Sequence, residues 1–159
     1  MKVLVAGIGN IFLSDDGFGV EVADRLRAME LPDGVTVGEY GIRGVHLAYE
    51  LLEGYDVLVL VDAVPMGAPA GTVAVLEIDA DDVGVDGAPV LDAHSMTPAS
   101  VLASLGRLGG RVDRVLLVGC QPGTVDEGIG LSSPVAAAVE RAVEEVVRML
   151  ELTTVGKGS

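Results

Sequence analysis

Apolar runs alternate with amphipathic segments along the whole chain. The runs at residues 3–6 and 56–61 are continuous enough to predict strands buried on both faces of a sheet. The segment after Ser133 has the clearest helical period, because its valines, alanines and leucines recur every three or four residues. The predicted strands are residues 3–6, 35–38, 56–61, 72–78 and 114–118, and the predicted helices are residues 17–29, 45–52, 97–108 and 133–150.

This order of elements, β-α-β-α-β-β-α-β-α, predicts an α/β protein. We expect one three-layer α/β/α sandwich domain around a mostly parallel five-stranded twisted sheet. The 159 residues fit a single domain, which we place at residues 1–152, followed by a flexible C-terminal tail at 153–159. Because 50% of the residues are hydrophobic and only 3% are aromatic, the core should consist of aliphatic side chains.

Charge and cysteine content argue against several classes of protein. Ten basic and 24 acidic residues give a net charge of −14, so we expect no binding to the phosphates of a nucleic acid. No apolar stretch approaches the ~20 residues of a membrane span, so we expect no membrane partner and a cytoplasmic location. The single cysteine, Cys120, excludes an internal disulfide, and we expect its thiol to be buried rather than reactive.

Three polar side chains follow predicted strands or precede predicted helices at one edge of the sheet. Asp16 comes after the first strand, Asp62 after the third, and His94 just before the third helix. The carboxyl ends of parallel strands form the usual ligand-binding edge of such a sheet, so these side chains should gather there. Two carboxylates and an imidazole suit zinc, nickel or a similar divalent ion, and they could also perform acid–base chemistry without a metal. Taken singly, Asp15 or Asp16 could simply cap a helix, and His94 could be an ordinary loop residue.

The glycines after the first strand also invite comparison with a dinucleotide-binding loop. Phe12 stands where that loop needs its third glycine, and the two aspartates that follow would repel a pyrophosphate. Glu39 could bind a ribose, but it lies about thirty residues beyond Gly9 rather than the expected ~20. The dinucleotide interpretation is therefore weak.

Several segments, taken in order, resemble the hydrogenase maturation proteases, the endopeptidases of nickel–iron hydrogenase assembly. The resemblance extends from Lys2 to Leu150, and the opening segment together with the VDA and DAH positions makes it specific. The segments are GIGNIFLSDDGFGV, GIRG with HLAYELLEGYD, LVLVDAVP, DAHSMTP, VGCQPG and IGLSSPV.

The resemblance implies an endopeptidase that removes a C-terminal extension from a hydrogenase large-subunit precursor once nickel has been inserted. The metal-contacting positions of the family fall on Asp16, Asp62 and His94, which we take as both catalytic and metal-contacting residues. Nickel would be recognised within the precursor, so no permanent cofactor is expected, although zinc or cadmium could occupy the same site in vitro. The family resemblance leaves open whether a carboxylate or a metal-activated water attacks the peptide. We expect a monomer.

One segment departs from the family pattern. Much of the family has an Asp-Gly-Gly-Thr stretch after the second strand that is thought to help read the substrate. Here Glu39, Gly41, Arg43 and Gly44 lie in that region, and Ile42 replaces the threonine. We expect these four residues to contact the substrate, with Arg43 holding a carboxylate or pairing with Glu39.

Three other functions are also compatible with parts of the sequence. A nickel-binding accessory protein without protease activity would bind the metal tightly without any partner. A peptidyl-tRNA hydrolase-like enzyme can begin with a similar strand and loop, but the net charge of −14 disfavours tRNA. A dinucleotide-binding protein is disfavoured by Phe12.

Overall fold

A five-stranded sheet organises the part of the chain that the structure describes. This computed structural model describes residues 1–40, 45–78, 103 and 105–158. The sheet has the order β2-β1-β3-β5-β4, in which neighbouring strands are parallel except that β4 runs antiparallel to β5. The strands are β1 (Val3–Ile8), β2 (Val35–Tyr40), β3 (Val57–Ala63), β4 (Val73–Ile78) and β5 (Arg114–Cys120).

Helices cover the sheet on both faces. They are α1 (Phe18–Arg27), which follows a 3₁₀ turn at Ser14–Gly17, α2 (Val45–Leu51) and α3 (Ser133–Gly158). Residues 105–107 are also helical, whereas the start of the helix predicted at 97–108 lies outside the described residues. Among the helices described, none has both the length and the apolar character needed to cross a bilayer.

The side chains of β1 alternate between two apolar clusters, as a strand buried on both faces requires. Val3 and Val5 belong to the cluster that also contains buried residues of α1 and α3. Leu4 and Ala6 belong to the second cluster, with buried residues of α2. Both clusters are mainly aliphatic: the buried residues that are not are Phe18 and Cys120 in the first and Tyr55 in the second. The structure thus confirms the predicted three-layer α/β/α fold.

The observed elements differ from the predicted ones mainly at their carboxyl ends. β1 continues to Ile8, β3 to Ala63 and β5 to Cys120, so Asp62 lies within its strand instead of after it. Backbone pairing continues past the apolar run, for example between Ile8 and Tyr40, and a hydrophobic pattern does not reveal such pairing. The last helix also continues to Gly158, while the predicted flexibility of residues 153–159 stays a prediction.

Two glycines let α1 lie directly against the sheet. A Cβ atom at Gly19 would overlap the carbonyl oxygens of Ile8 and Val61, which belong to the two central strands. A Cβ at Gly7 would overlap the backbone of Gly19 and lie 2.8 Å from the Cβ of Ala23. This close approach places the Ser14–Gly17 turn, just before the helix, at the carboxyl ends of β1 and β3.

We expect Gly19→Ala to lower the free energy of unfolding by about 3 kcal/mol, because the new methyl group meets backbone atoms that cannot rotate away. Urea denaturation followed by circular dichroism measures this loss. Gly106→Ala is the matched control, since a Cβ at that helical glycine meets nothing within 4 Å. Equal midpoints for Gly19→Ala and the wild type would contradict the close packing of α1.

Candidate active site

Two carboxylates meet at the carboxyl edge of the sheet. Asp16 lies in the turn before α1, and Asp62 lies near the end of the central strand β3. Burial raises the pKa of the Asp62 carboxyl to about 8, and the negative charge of Asp16 adds to the increase, against a smaller opposing hydrogen bond from the Ala63 N–H. The pair therefore attracts a positive charge, which would relieve both the repulsion and the cost of burial.

The loop after β1 is folded around Asp16. The backbone N–H of Asn10 donates to Asp16 Oδ2 at 2.9 Å, and Asn10 Oδ1 accepts from the N–H of Phe12 at 2.9 Å. Gly9 has a φ of +145°, and a Cβ there would overlap the carbonyl oxygen of Asp16. Only glycine combines that backbone conformation with so close an approach. These contacts fix one oxygen of Asp16 against the loop.

The neighbouring Asp15 is fully buried and joins this loop to a distant segment. Its Oδ2 accepts hydrogen bonds from the N–H of Gly123 (2.7 Å), the N–H of Thr124 (2.9 Å) and the hydroxyl of Ser132 (2.8 Å). Its Oδ1 accepts from the N–H of Ser132 at 2.6 Å. Burial by itself raises the pKa of Asp15, but the hydrogen bonds from these three residues outweigh it, so the pKa is lowered.

Backbone hydrogen bonds strengthen the same junction. We call residues 9–17 the first loop and residues 121–132 the distal loop. Ser14 has a φ of +52°, which is unusual for a residue with a side chain. Its N–H donates to the carbonyl of Gly128 at 2.8 Å and its hydroxyl to the carbonyl of Asp126 at 2.7 Å. The N–H of Gly128 donates in return to the carbonyl of Phe12 at 2.9 Å. The two loops therefore form one unit beside Asp16.

Comparison with known proteins identifies the family of this fold. The hydrogenase maturation protease family matches residues 20–149. A hydrogenase expression/formation protein HupD of Rhizobium leguminosarum bv. viciae is 34% identical over 94% of this chain and 74% of its own length. The chain belongs to the hydrogenase maturation protease family. It is therefore a peptidase that acts in hydrogenase maturation.

Further relatives of this maturation protease support the same conclusion. The hydrogenase 2 maturation protease of Escherichia coli is 32% identical over 94% of this chain and 91% of its own length. The solved structure of the hydrogenase maturating endopeptidase HybD of Escherichia coli superposes with a TM-score of 0.82 at 30% identity. That superposition covers 96% of this chain and 94% of HybD.

The structure brings together two of the three residues predicted to contact metal. Asp16 and Asp62 lie close enough for the charge of Asp16 to raise the pKa of the Asp62 carboxyl. The third, His94, lies outside the described residues. Within the described part of the chain, no group of three or more His, Cys, Asp and Glu side chains has the arrangement of a metal site. Two carboxylates can therefore supply part of the ligand set of a cation, whose other ligands would have to come from outside this pair.

Of the four predicted substrate contacts, only Glu39 is described. It lies near the end of β2 and accepts a hydrogen bond from Arg27 Nη2 at 2.7 Å, and Arg27 also pairs with Asp24. The partner of Glu39 among the described residues is therefore a cation of α1. Gly41, Arg43 and Gly44 lie outside the described residues, and the role of all four in substrate binding stays a prediction.

Asp15 is the residue whose role the sequence did not reveal. As a neighbour of Asp16 before a helix it suggested helix capping, yet no side chain caps the 3₁₀ turn or α1. Its carboxylate instead binds the distal loop, which ends at Ser132, 117 positions away in the chain. Local spacing gives no signal for a contact of that range.

Cys120 is buried in the cluster beneath α1 and α3, as predicted. Burial raises the pKa of its thiol to about 11, and the nearby charge of Asp15 adds to the increase. A thiol with so high a pKa is almost entirely protonated at neutral pH and is a poor nucleophile. Cys120 therefore serves the core rather than the chemistry.

We expect Asp15→Asn to lower the free energy of unfolding by about 3 kcal/mol at pH 7. The new amide group presents hydrogens to N–H donors of the distal loop, which leaves buried donors without acceptors. Thermal denaturation compares this variant with Asp33→Asn, which alters an exposed carboxylate before β2 and should have little effect.

The loss should also depend on pH. The pKa of Asp15 is lower in the folded protein than its ordinary value of 3.8, so its stabilising effect is complete above that value and is lost as the pH falls below it. The difference in stability between the wild type and Asp15→Asn should therefore be largest near neutral pH and shrink below pH 3.8. A difference that stays constant down to pH 2.5, roughly one unit below that value, would show that the charge of Asp15 is not the stabilising feature.

Proposed function

We propose that this protein is the endopeptidase that removes a C-terminal extension from the precursor of a nickel–iron hydrogenase large subunit, and that it recognises the nickel already seated there. Asp16, Asp62 and His94 are the residues proposed to contact that nickel. The observation that carries the proposal is the pairing of Asp16 with Asp62 at the carboxyl edge of the sheet. The names of several relatives, hydrogenase maturation proteases, support the reaction class.

The carboxylate pair suggests why nickel would act as a signal. Without a cation, Asp62 carries the cost of its burial and of the charge on Asp16. A divalent ion presented by the precursor would remove that cost, so a nickel-loaded precursor should bind more tightly than a nickel-free one. His94 would add an imidazole nitrogen, and this mixed set of ligands would also accept zinc or cadmium in vitro.

The chain's own residues would then orient the substrate for hydrolysis. The N–H of Asn10 holds one oxygen of Asp16 in place, which limits the orientations that this carboxylate can take. Two chemical routes fit the site: a carboxylate takes a proton from the attacking water, or the charge of the bound ion lowers the pKa of that water towards ~7. Glu39, Gly41, Arg43 and Gly44 are proposed to read the precursor around the cut.

We expect Asp16→Asn to reduce processing of the nickel-loaded precursor by more than about 100-fold, because it removes a charge while keeping the shape of the side chain. Intact-mass spectrometry of the precursor before and after incubation measures the loss of the C-terminal extension. Asp62→Asn and His94→Ala should behave in the same way, and nickel-free precursor should remain uncut by the wild type.

Asp33→Asn is the matched control, since it removes an exposed carboxylate before β2 and should process the precursor at the wild-type rate. Circular dichroism of each variant shows that the fold is retained. Removal of the extension by Asp16→Asn at the wild-type rate would exclude Asp16 from the mechanism.

The alternative of a nickel-binding accessory protein predicts a different result. We expect calorimetric titration of the protein alone with Ni²⁺ at neutral pH to show only weak binding, because the Asp62 carboxyl must first lose its proton and the site is completed by the precursor. Tight binding of one Ni²⁺ per chain, together with an uncut precursor, would favour the accessory protein.

A further inference from the structure

Four exposed apolar side chains lie on the first loop, which carries Asp16, and on the distal loop that is hydrogen-bonded to it. Ile11 and Phe12 of the first loop are 46% and 61% exposed, and Val125 and Ile129 of the distal loop are 50% and 79% exposed. We call these four residues the apolar rim. Large apolar side chains that lie together on the surface of a protein usually mark an interaction site.

Hydrogen bonds between the loops hold the two halves of the apolar rim side by side. The carbonyl of Phe12 accepts the N–H of Gly128, which directly precedes Ile129. Leu13, which follows Phe12, also forms a β-bridge with Gly128. A surface built on such backbone contacts is pre-organised, so binding costs little further ordering of the loops.

The apolar rim is continuous with the candidate active site. Ile11 packs over Gly17, where a Cβ would lie 3.1 Å from the Ile11 Cα, and Gly17 is the residue after Asp16. Asn10, on the other side of Ile11, donates its N–H to Asp16 Oδ2. A chain segment that reaches Asp16 from this side therefore passes close to Ile11.

The charged side chains of the two loops that carry the apolar rim have a single sign. Neither the first loop nor the distal loop contains a lysine or an arginine. Asp126 and Glu127 lie exposed between Val125 and Ile129. This surface therefore favours a partner that combines apolar side chains with a basic residue.

We propose that the apolar rim is the docking surface for the precursor segment next to the cleaved bond, and that this segment is apolar and carries a lysine or arginine opposite Asp126 and Glu127. This inference rests on the proposed function, because it takes the precursor as the substrate. The rim supplies affinity through apolar contact, while Asp16 and Asp62 act on the metal-bearing part of the same partner.

The test combines a double variant, Phe12→Ser with Ile129→Ser, and two measurements on the nickel-loaded precursor. Intact-mass kinetics should show KM raised about tenfold or more with kcat within about twofold of the wild type, since the lost contacts lie outside the reacting groups. Biolayer interferometry should show an equal loss of affinity. Both side chains are exposed, so the variant should keep the wild-type melting temperature.

Leu152→Ser is the matched control. Leu152 is 70% exposed, but it lies 19 positions along α3 from Ser133, or about 28 Å at 1.5 Å per residue. Its replacement removes a similar apolar area from a remote surface and should leave both KM and affinity unchanged. An equal effect of Leu152→Ser would mean that general surface hydrophobicity, not the rim, drives binding, and it would overturn the inference.

The double variant Asp126→Asn with Glu127→Gln tests the charge attraction between the distal loop and the precursor. It should raise KM and weaken the dependence of affinity on salt concentration, because the charge attraction to the basic residue is lost. Unchanged salt dependence would overturn the assignment of a basic residue to the partner.

The outcomes separate the two proposals. If the wild type binds the precursor through the rim but leaves it uncut, the proposed cleavage fails and the docking surface stands. If cleavage occurs and the Phe12→Ser, Ile129→Ser variant retains the wild-type KM and affinity, the docking surface fails alone. Sedimentation velocity tests whether the rim instead binds a second copy of this chain. If the wild type is a dimer and the double variant is a monomer, the rim is a dimer interface and the inference is overturned.

Discussion

The site of this maturation protease depends on one buried charge. The carboxylate of Asp15 accepts four hydrogen bonds from Gly123, Thr124 and Ser132, and it is the only charged side chain fully buried among the described residues. A buried carboxylate is tolerated only when its lone pairs are occupied, so its position fixes the positions of its donors. The loop that carries Asp16 and the distal loop are thereby locked into one geometry.

Two adjacent aspartates thus have opposite functions. Asp15 points into the protein and has its pKa lowered by hydrogen bonds, whereas Asp16 lies beside Asp62 and adds to the increase in that residue's pKa. The first arrangement stabilises the fold at neutral pH, and the second destabilises it as the pH rises from about 4 towards about 8. An unfavourable electrostatic interaction between binding residues is common in active sites. Here it lies next to a carboxylate whose hydrogen bonds stabilise the fold.

Much of the architecture could be predicted from the sequence because it follows from local periodicity. Continuous apolar runs gave the central strands, and the 3.6-residue period gave the last helix. The meeting of Asp16 and Asp62 also followed from topology, since parallel strands end at one edge. Strand ends were placed too early because Gly7, Asp62 and Gly119 interrupt the apolar runs, whereas the backbone pairing continues through them. The role of Asp15 could not be predicted, because its partners lie 108 to 117 positions away.

The two halves of this junction are made at widely separated stages of translation. Ser132 is added 117 positions after Asp15, when all five described strands of the sheet have been made. A growing chain can therefore begin to pair its strands while the loop around Asp16 still lacks its support, since contacts of such long range form late. Only a chain that already contains Ser132 can hold Asp15, and with it the loop that carries Asp16, in the geometry of the site. The order of synthesis therefore also sets the order in which the site can be assembled: its carboxylates come first and their support comes last.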